Sequence, residues 1–140
     1  MGTVDREMMS RALQLAAKGR YTSAPNPAVG CVIAIDGAVI GEGYTRPAGG
    51  NHAEVQALAE AGDASGATAY VTLEPCHMCA KAIVDARISN LYFGALEPKT
   101  GSILSVDNFL EKLFLNHKVN YSYGYLENES RELLKSFFQS

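Results

Sequence analysis

Val29-Gly-Cys-Val-Ile-Ala-Ile35, then Asp36-Gly37, then Ala38-Val-Ile-Gly-Glu-Gly-Tyr44 reads as two strands folded back on each other. Asp-Gly between two apolar runs is a strong hairpin signal, because both central residues of the tight turn need positive φ. Upstream, Met8, Met9, Ala12, Leu13, Leu15 and Ala16 recur at helical spacing, so Asp5 to Lys18 is expected to be an amphipathic helix stopped at Gly19. Tyr21 to Pro27 and Pro47 to Gly50 read as loops. Downstream, helices and strands alternate. The reading is a helix from Asn51 or His52 to Ala61, a strand from Ala67 to Leu73, a helix from Pro75 to Ala86 and a strand from Ile88 to Phe93. Then come an irregular loop from Gly94 to Ser105, a helix from Val106 to Phe114, a strand from Val119 to Tyr125 and a helix from Glu127 to Phe138. A hairpin followed by such alternation predicts an α/β fold: a three-layer α/β/α domain around a five-stranded mixed sheet.

The 140 residues suit one domain, expected to span 1–140, with 47% apolar and 19% charged residues. That composition excludes a disordered chain. Twelve basic against fifteen acidic residues give a net charge of −3, which argues against non-specific coating of nucleic acid. The opening residues show no apolar signal segment, and no run is long enough to span a bilayer. Three cysteines in such a chain predict a reducing, cytoplasmic setting, where thiols bind metal or pack in the core.

Two short motifs carry chemistry. His52-Ala-Glu54 opens one helix and Pro75-Cys76-His-Met-Cys79 opens another. Cys76 and Cys79 are three apart and share a helical face. Helix N-termini favour thiolate over thiol. Two thiolates and the His52 imidazole make three zinc ligands, one Zn2+ per chain, with a fourth tetrahedral position vacant, as in catalytic sites. Glu54, two residues from a ligand, is placed to act as the general base.

Other readings of these residues are weaker. Cys-x-x-Cys alone fits a redox pair or half a zinc ribbon, but no second such pair exists and His52 and Glu54 would go unexplained. Cys31 in its apolar strand reads as a buried small hydrophobe. His77 points off the cysteine face, His117 reads as a solvated loop residue, and Phe137-Phe138 as core packing.

His-x-Glu followed by Pro-Cys-x-x-Cys is the signature of zinc deaminases, and the surrounding text resembles two of their families. Met9 to Cys76 resembles the deaminase domain of the bacterial bifunctional riboflavin-biosynthesis protein, through Arg11-Ala-Leu-Gln-Leu-Ala, Pro25-Asn-Pro-Ala-Val-Gly-Cys-Val-Ile, Ala48-Gly-Gly-Asn-His-Ala-Glu-Val and Gly66-Ala-Thr-Ala-Tyr-Val-Thr-Leu-Glu-Pro-Cys. Pro75 onward resembles bacterial tRNA-specific adenosine deaminase, through Pro75-Cys-His-Met-Cys-Ala, Phe93-Gly-Ala, Pro98-Lys-Thr-Gly and Leu133-Leu-Lys-Ser-Phe-Phe. Both belong to the cytidine-deaminase-like superfamily. The change of text near Leu73 to Pro75 reads as the seam of a chimera or otherwise engineered chain.

The resemblance implies hydrolytic deamination, with Asn26, Val29, Thr45, Ala53 and Glu74 lining the substrate pocket. Lys81, Arg87, Lys99 and Lys118 are the implied nucleic-acid contacts. The first expectation is conversion of adenosine to inosine in tRNA or single-stranded nucleic acid. The alternatives are deamination of the riboflavin-pathway diaminopyrimidine ribosyl phosphate, a small nucleotide, and a folded zinc-binding scaffold without activity. Relatives also imply a homodimer, and no membrane partner. Two departures stand out. Thr45 occupies a place where one family has Asn and the other His. Only His77 and Met78 lie between the cysteines, where the riboflavin family has a longer loop associated with the ribose phosphate.

Overall fold

The computed structural model describes residues 3–18, 28–45, 52–98, 101–112, 115 and 117–132. Helix α1 (Thr3–Lys18) is followed by strands β1 (Gly30–Ile35) and β2 (Ala38–Tyr44), helix α2 (Ala53–Ala61), strand β3 (Thr68–Leu73), helix α3 (His77–Asp85), strand β4 (Asn90–Ala95), a 3-10 turn (Phe109–Glu111) and strand β5 (Asn120–Tyr123). A further helix, α4, runs over 127–132. The sheet order is β2-β1-β3-β4-β5. β1 is antiparallel to β2 and β3, while β3, β4 and β5 are parallel, so the sheet is mixed as the sequence predicts.

The hairpin turns on Asp36 (φ 51°) and Gly37 (φ 80°), which is the type I′ geometry its Asp-Gly implies. The two faces of the sheet are covered differently. Val32, Ala34 and Tyr70 face α1 and pack on Met9, Ala12 and Leu15. Cys31, Ile33, Ala69, Val71 and Phe93 face the other way, into a larger core with Ala53 and Ala57 of α2 and Ala80, Ile83 and Val84 of α3. Each fully buried Leu, Ile or Phe contributes roughly 1.5–3 kcal/mol by leaving water. α4 lies on the α1 face, since a Cβ on Gly94 would meet the Ser130 hydroxyl at 2.3 Å.

Glycines set how closely α2 approaches. A Cβ on Gly41 would lie 2.2 Å from the Ala57 carbonyl oxygen, and one on Gly43 would lie 2.3 Å from that of Ala53. The two alternate along β2 onto one face, and their bare backbone lets α2 rest on the strand. That contact delivers the start of α2 to one end of the sheet. The same end receives the start of β1, the end of β2 and the C-terminal ends of β3 and β4, through the pairs Gly30–Tyr44 and Leu73–Ala95.

Some boundaries and one element differ from the sequence reading. α2 and α3 each begin one or two residues late, leaving His52 and Cys76 as N-caps. β4 is shifted to Asn90–Ala95, and β5 is only four residues long. Of the helix expected over 106–114, the described residues 106–112 form only the turn Phe109–Glu111, and 113–114 lie outside the described residues. The loops at 21–27 and 47–50, Gly19 and Phe137-Phe138 lie outside the described residues.

Candidate metal centre

His52 and Cys76 share an uncommon local setting. Each is the N-cap of its helix with extended backbone, and neither side chain caps its helix by a hydrogen bond, so both remain available as ligands. Cys79 is the third residue of α3, the position whose side chain meets the N-cap in a capping box. The pairing of Cys76 with Cys79 therefore works although Cys76 stands just outside the helix. The His52 Nδ1 lies 3.3 Å from the Cys79 Sγ and 3.8 Å from the Cys76 Sγ. Ligand atoms of all three lie within 4.8 Å of one another. Zinc with bonds of about 2.3 Å to sulfur and about 2.0 Å to nitrogen sets those atoms roughly 3.5 Å apart in a tetrahedron. The two nitrogen–sulfur separations bracket that spacing, and the donor set of one imidazole and two sulfurs is a zinc set.

The protonation pattern suits it. The Cys76 thiol is pulled down to about 5, first by the hydrogen bond from the Cys79 thiol, against partial burial, and further by the Cys79 and Met78 N–H groups and His52. The Cys79 thiol is pushed up, because it donates to Cys76 and lies buried beside Glu54. Glu54, in the first turn of α2, is only 5% exposed. Burial raises its carboxyl to about 7, aided by Cys76 and opposed by its own N–H, His52 and Cys79. A buried carboxyl poised near neutrality beside three metal ligands is suited to moving protons.

Cys31 is buried, and burial together with Glu54 pushes its thiol well up, so it is a core residue as expected. His77 stays out of the cluster. Its ring packs edge-on against Phe109 at 4.6 Å, and its Nδ1 lies 3.5 Å from the Ser102 hydroxyl. His117 departs from the solvated reading, for it is partly buried and its Nε2 bonds the Ile88 carbonyl at 2.7 Å.

The expected pocket residues fare unevenly. Val29 and Ala53 stand at the site's end of the sheet, half-buried and buried respectively. The Thr45 hydroxyl is turned onto Val29, accepting its N–H at 2.8 Å and donating to its carbonyl at 3.3 Å. Thr45 thus fixes the backbone of Val29. The Glu74 carboxylate is taken by the segment after β4. It accepts the N–H of Glu97 (3.0 Å), Ile103 (3.0 Å), Leu104 (2.7 Å) and Ser105 (2.9 Å), and the Ser105 hydroxyl. Burial pushes that carboxyl up, but these donors outweigh it and hold it below the ordinary value. Asn26 and Lys99 lie outside the described residues.

Of the expected cationic contacts, Lys81 pairs with Asp85 at 2.7 Å and Lys118 with Glu111 at 3.0 Å. Arg87 sits at φ 63° past the end of α3. The anchoring of 101–105 escaped the sequence reading. Its one trace there is Glu74 itself, a carboxylate two residues from a ligand that the sequence reading placed in the substrate pocket.

The chain matches the model of the cytidine and deoxycytidylate deaminase zinc-binding region over residues 3–95. A diaminohydroxyphosphoribosylamino-pyrimidine deaminase of Buchnera aphidicola subsp. Schizaphis graminum is 38% identical over 142 residues, covering 96% of this chain and 94% of the relative, across the suspected seam. The solved structure of Acinetobacter baumannii RibD superposes with a TM-score of 0.82 at 38% identity, covering 97% of this chain and 39% of that one. A structure from studies of A-to-I editing by tRNA:A34 deaminases gives 0.79 at 34% identity, covering 91% and 99%. Motif, cluster and relatives agree: the chain belongs to the cytidine and deoxycytidylate deaminase zinc-binding family, whose chemistry is zinc-dependent hydrolytic deamination of a nucleobase.

Proposed function

We propose that this chain deaminates a diaminohydroxyphosphoribosylamino-pyrimidine, exchanging one ring amine for oxygen with release of ammonia. The observation that carries the reading is the buried Glu54 carboxyl set against the His52–Cys76–Cys79 cluster, in a chain that nearly matches in length a relative named for that reaction. Zinc held by the cluster supplies Lewis-acid activation of water. Glu54, with its carboxyl raised to about 7, would take one proton from the attacking water and pass it to a ring nitrogen, then take the second proton from the resulting hydroxyl and deliver it to the departing amine. Val29, locked by Thr45, offers a fixed apolar surface to the ring. Only His77 and Met78 separate the cysteines, so the phosphate end of the substrate is met by other elements.

A second reading, adenosine to inosine in tRNA, is favoured by that short spacer and by the 34% identical tRNA:A34 deaminase structure. Against it, Lys81 and Lys118 are each neutralised by a neighbouring carboxylate. The test incubates the zinc-loaded chain separately with the pyrimidine ribosyl phosphate, a tRNA anticodon stem-loop and a DNA hairpin. Ammonia and the amine-to-oxygen mass change are the readouts. Turnover of the pyrimidine alone is expected. Inosine in the stem-loop alone inverts the ranking, and bound zinc with no product from any of them leaves an inactive scaffold.

A further inference from the structure

Glu74 is buried, 3% exposed, at the end of β3, and its N–H is bound to the Ala95 carbonyl at 2.9 Å. Its carboxylate gathers four backbone N–H groups and a hydroxyl from 97–105. Without that acceptor, three consecutive N–H groups, those of Ile103, Leu104 and Ser105, would lose a shared partner, and buried donors without partners are costly.

The segment so held lies directly on a metal ligand. Gly101 pairs with Cys76 as an antiparallel bridge, and the Ser102 N–H bonds the Pro75 carbonyl at 2.9 Å. Position 101 admits glycine alone, since a Cβ there would come within 2.3 Å of the Glu74 carboxyl carbon. The carboxylate, the loop and the backbone of Cys76 therefore form one closed circuit. The loop also brings exposed Leu104 (42%) and Val106 (60%), and Met78 (52%) is exposed in the first turn of α3, just after its N-cap Cys76.

We propose that Glu74 is a positioning residue for the metal centre: by clamping 101–105 against Cys76 it fixes that ligand. It touches neither the ion nor the substrate and acts through the loop. The role rests on the zinc centre and not on which ring is deaminated, so its test is independent of substrate identity.

The experiment compares the zinc-loaded full chain with Glu74→Gln and Ser105→Ala, using Glu42→Gln on the far side of the sheet as control. Three quantities are read: hydrogen exchange at the amides of 103–105, the rate of zinc loss to a chelator, and the absorption bands of the cobalt-substituted protein. In Glu74→Gln, exchange at those amides is expected to quicken at least tenfold and zinc loss about tenfold, with altered cobalt bands and unchanged far-UV circular dichroism. Ser105→Ala removes one of the five donors and is expected to speed zinc loss two- to threefold. Glu42→Gln should match the parent. Faster exchange with parental zinc loss and cobalt bands would reduce Glu74 to a loop staple and overturn the proposal, as would parental exchange. If Glu74→Gln does not fold, Ser105→Ala decides alone, and parental zinc loss in it overturns the proposal.

Discussion

Burial of the Glu54 carboxyl raises it to about 7, which under the proposed function suits proton transfer and which works against the fold when no metal is present. The folded state binds a proton there that the unfolded state has already released above its ordinary value of about 4.5. Stability from this group is therefore full below that ordinary value and is lost as pH rises through about 7. Metal-free Glu54→Gln is expected to melt above the metal-free parent at pH 8, by up to about 3 kcal/mol, and level with it near pH 4. Calorimetry at the two pH values checks this, and a parent at least as stable at pH 8 would contradict it. The zinc-loaded variant should keep its metal and lose about 10²–10⁴-fold in ammonia release, measured by a coupled assay beside metal analysis. His52, Glu54, Cys76 and Cys79 were legible in the sequence because few arrangements use those side chains at that spacing. Thr45 and Glu74 were read from the sequence as pocket residues, but the bonds their side chains make were not legible. A hydroxyl or carboxylate can turn to nearby backbone as readily as to a ligand, and only the fold shows that Thr45 turned to Val29 and Glu74 to the 101–105 loop.

Among the elements, α3 ends in a motif that normally asks for glycine. The Ile88 N–H reaches the Ile83 carbonyl and the Arg87 N–H the Val84 carbonyl, a Schellman pair with Arg87 at φ 63° in the left-handed position. Left-handed backbone costs a non-glycine residue on the order of 1 kcal/mol. Arg87→Gly should therefore raise the melting temperature by about 3 °C and leave turnover unchanged; a lower melting point would show that the Arg side chain outweighs the strain. Gly43→Ala should do the reverse. Its methyl would press on the Ala53 carbonyl from 2.3 Å, push α2 off β2 and carry His52 and Glu54 with it. A loss of roughly 2 kcal/mol or more is expected, with weaker zinc retention, read by denaturant melts and metal content. The hairpin was legible because Asp36-Gly37 fits one turn type. The helix expected over 106–114 failed for reasons apolar spacing does not carry. Glu74 commits the preceding N–H groups to its own carboxylate, and the Asp107 side chain takes the Asn108 N–H at 2.8 Å.

On the scale of the whole molecule, the metal cluster joins two helix starts across the C-terminal end of β3. No helix among the described residues is long and apolar enough to cross a membrane. An ion that binds only the folded chain stabilises it by mass action, about 2.7 kcal/mol at a hundredfold excess over the dissociation constant. Zinc should raise the melting temperature, a chelator should reverse the gain, and Cys79→Ser should abolish the difference; a melt indifferent to zinc would refute the centre. The three-layer plan was legible because hairpin and alternation leave few topologies, while the end of the sheet that holds the site was not, being decided by strand pairing and by how closely α2 can settle on β2. The clamp on 101–105 has a corollary. The reactive side chains all come from 52–79, whereas the rim is a later stretch hung from one carboxylate and one glycine. Exchanging the residues that follow Gly101 while keeping Glu74 should therefore reshape the rim and leave the reactive side chains in place.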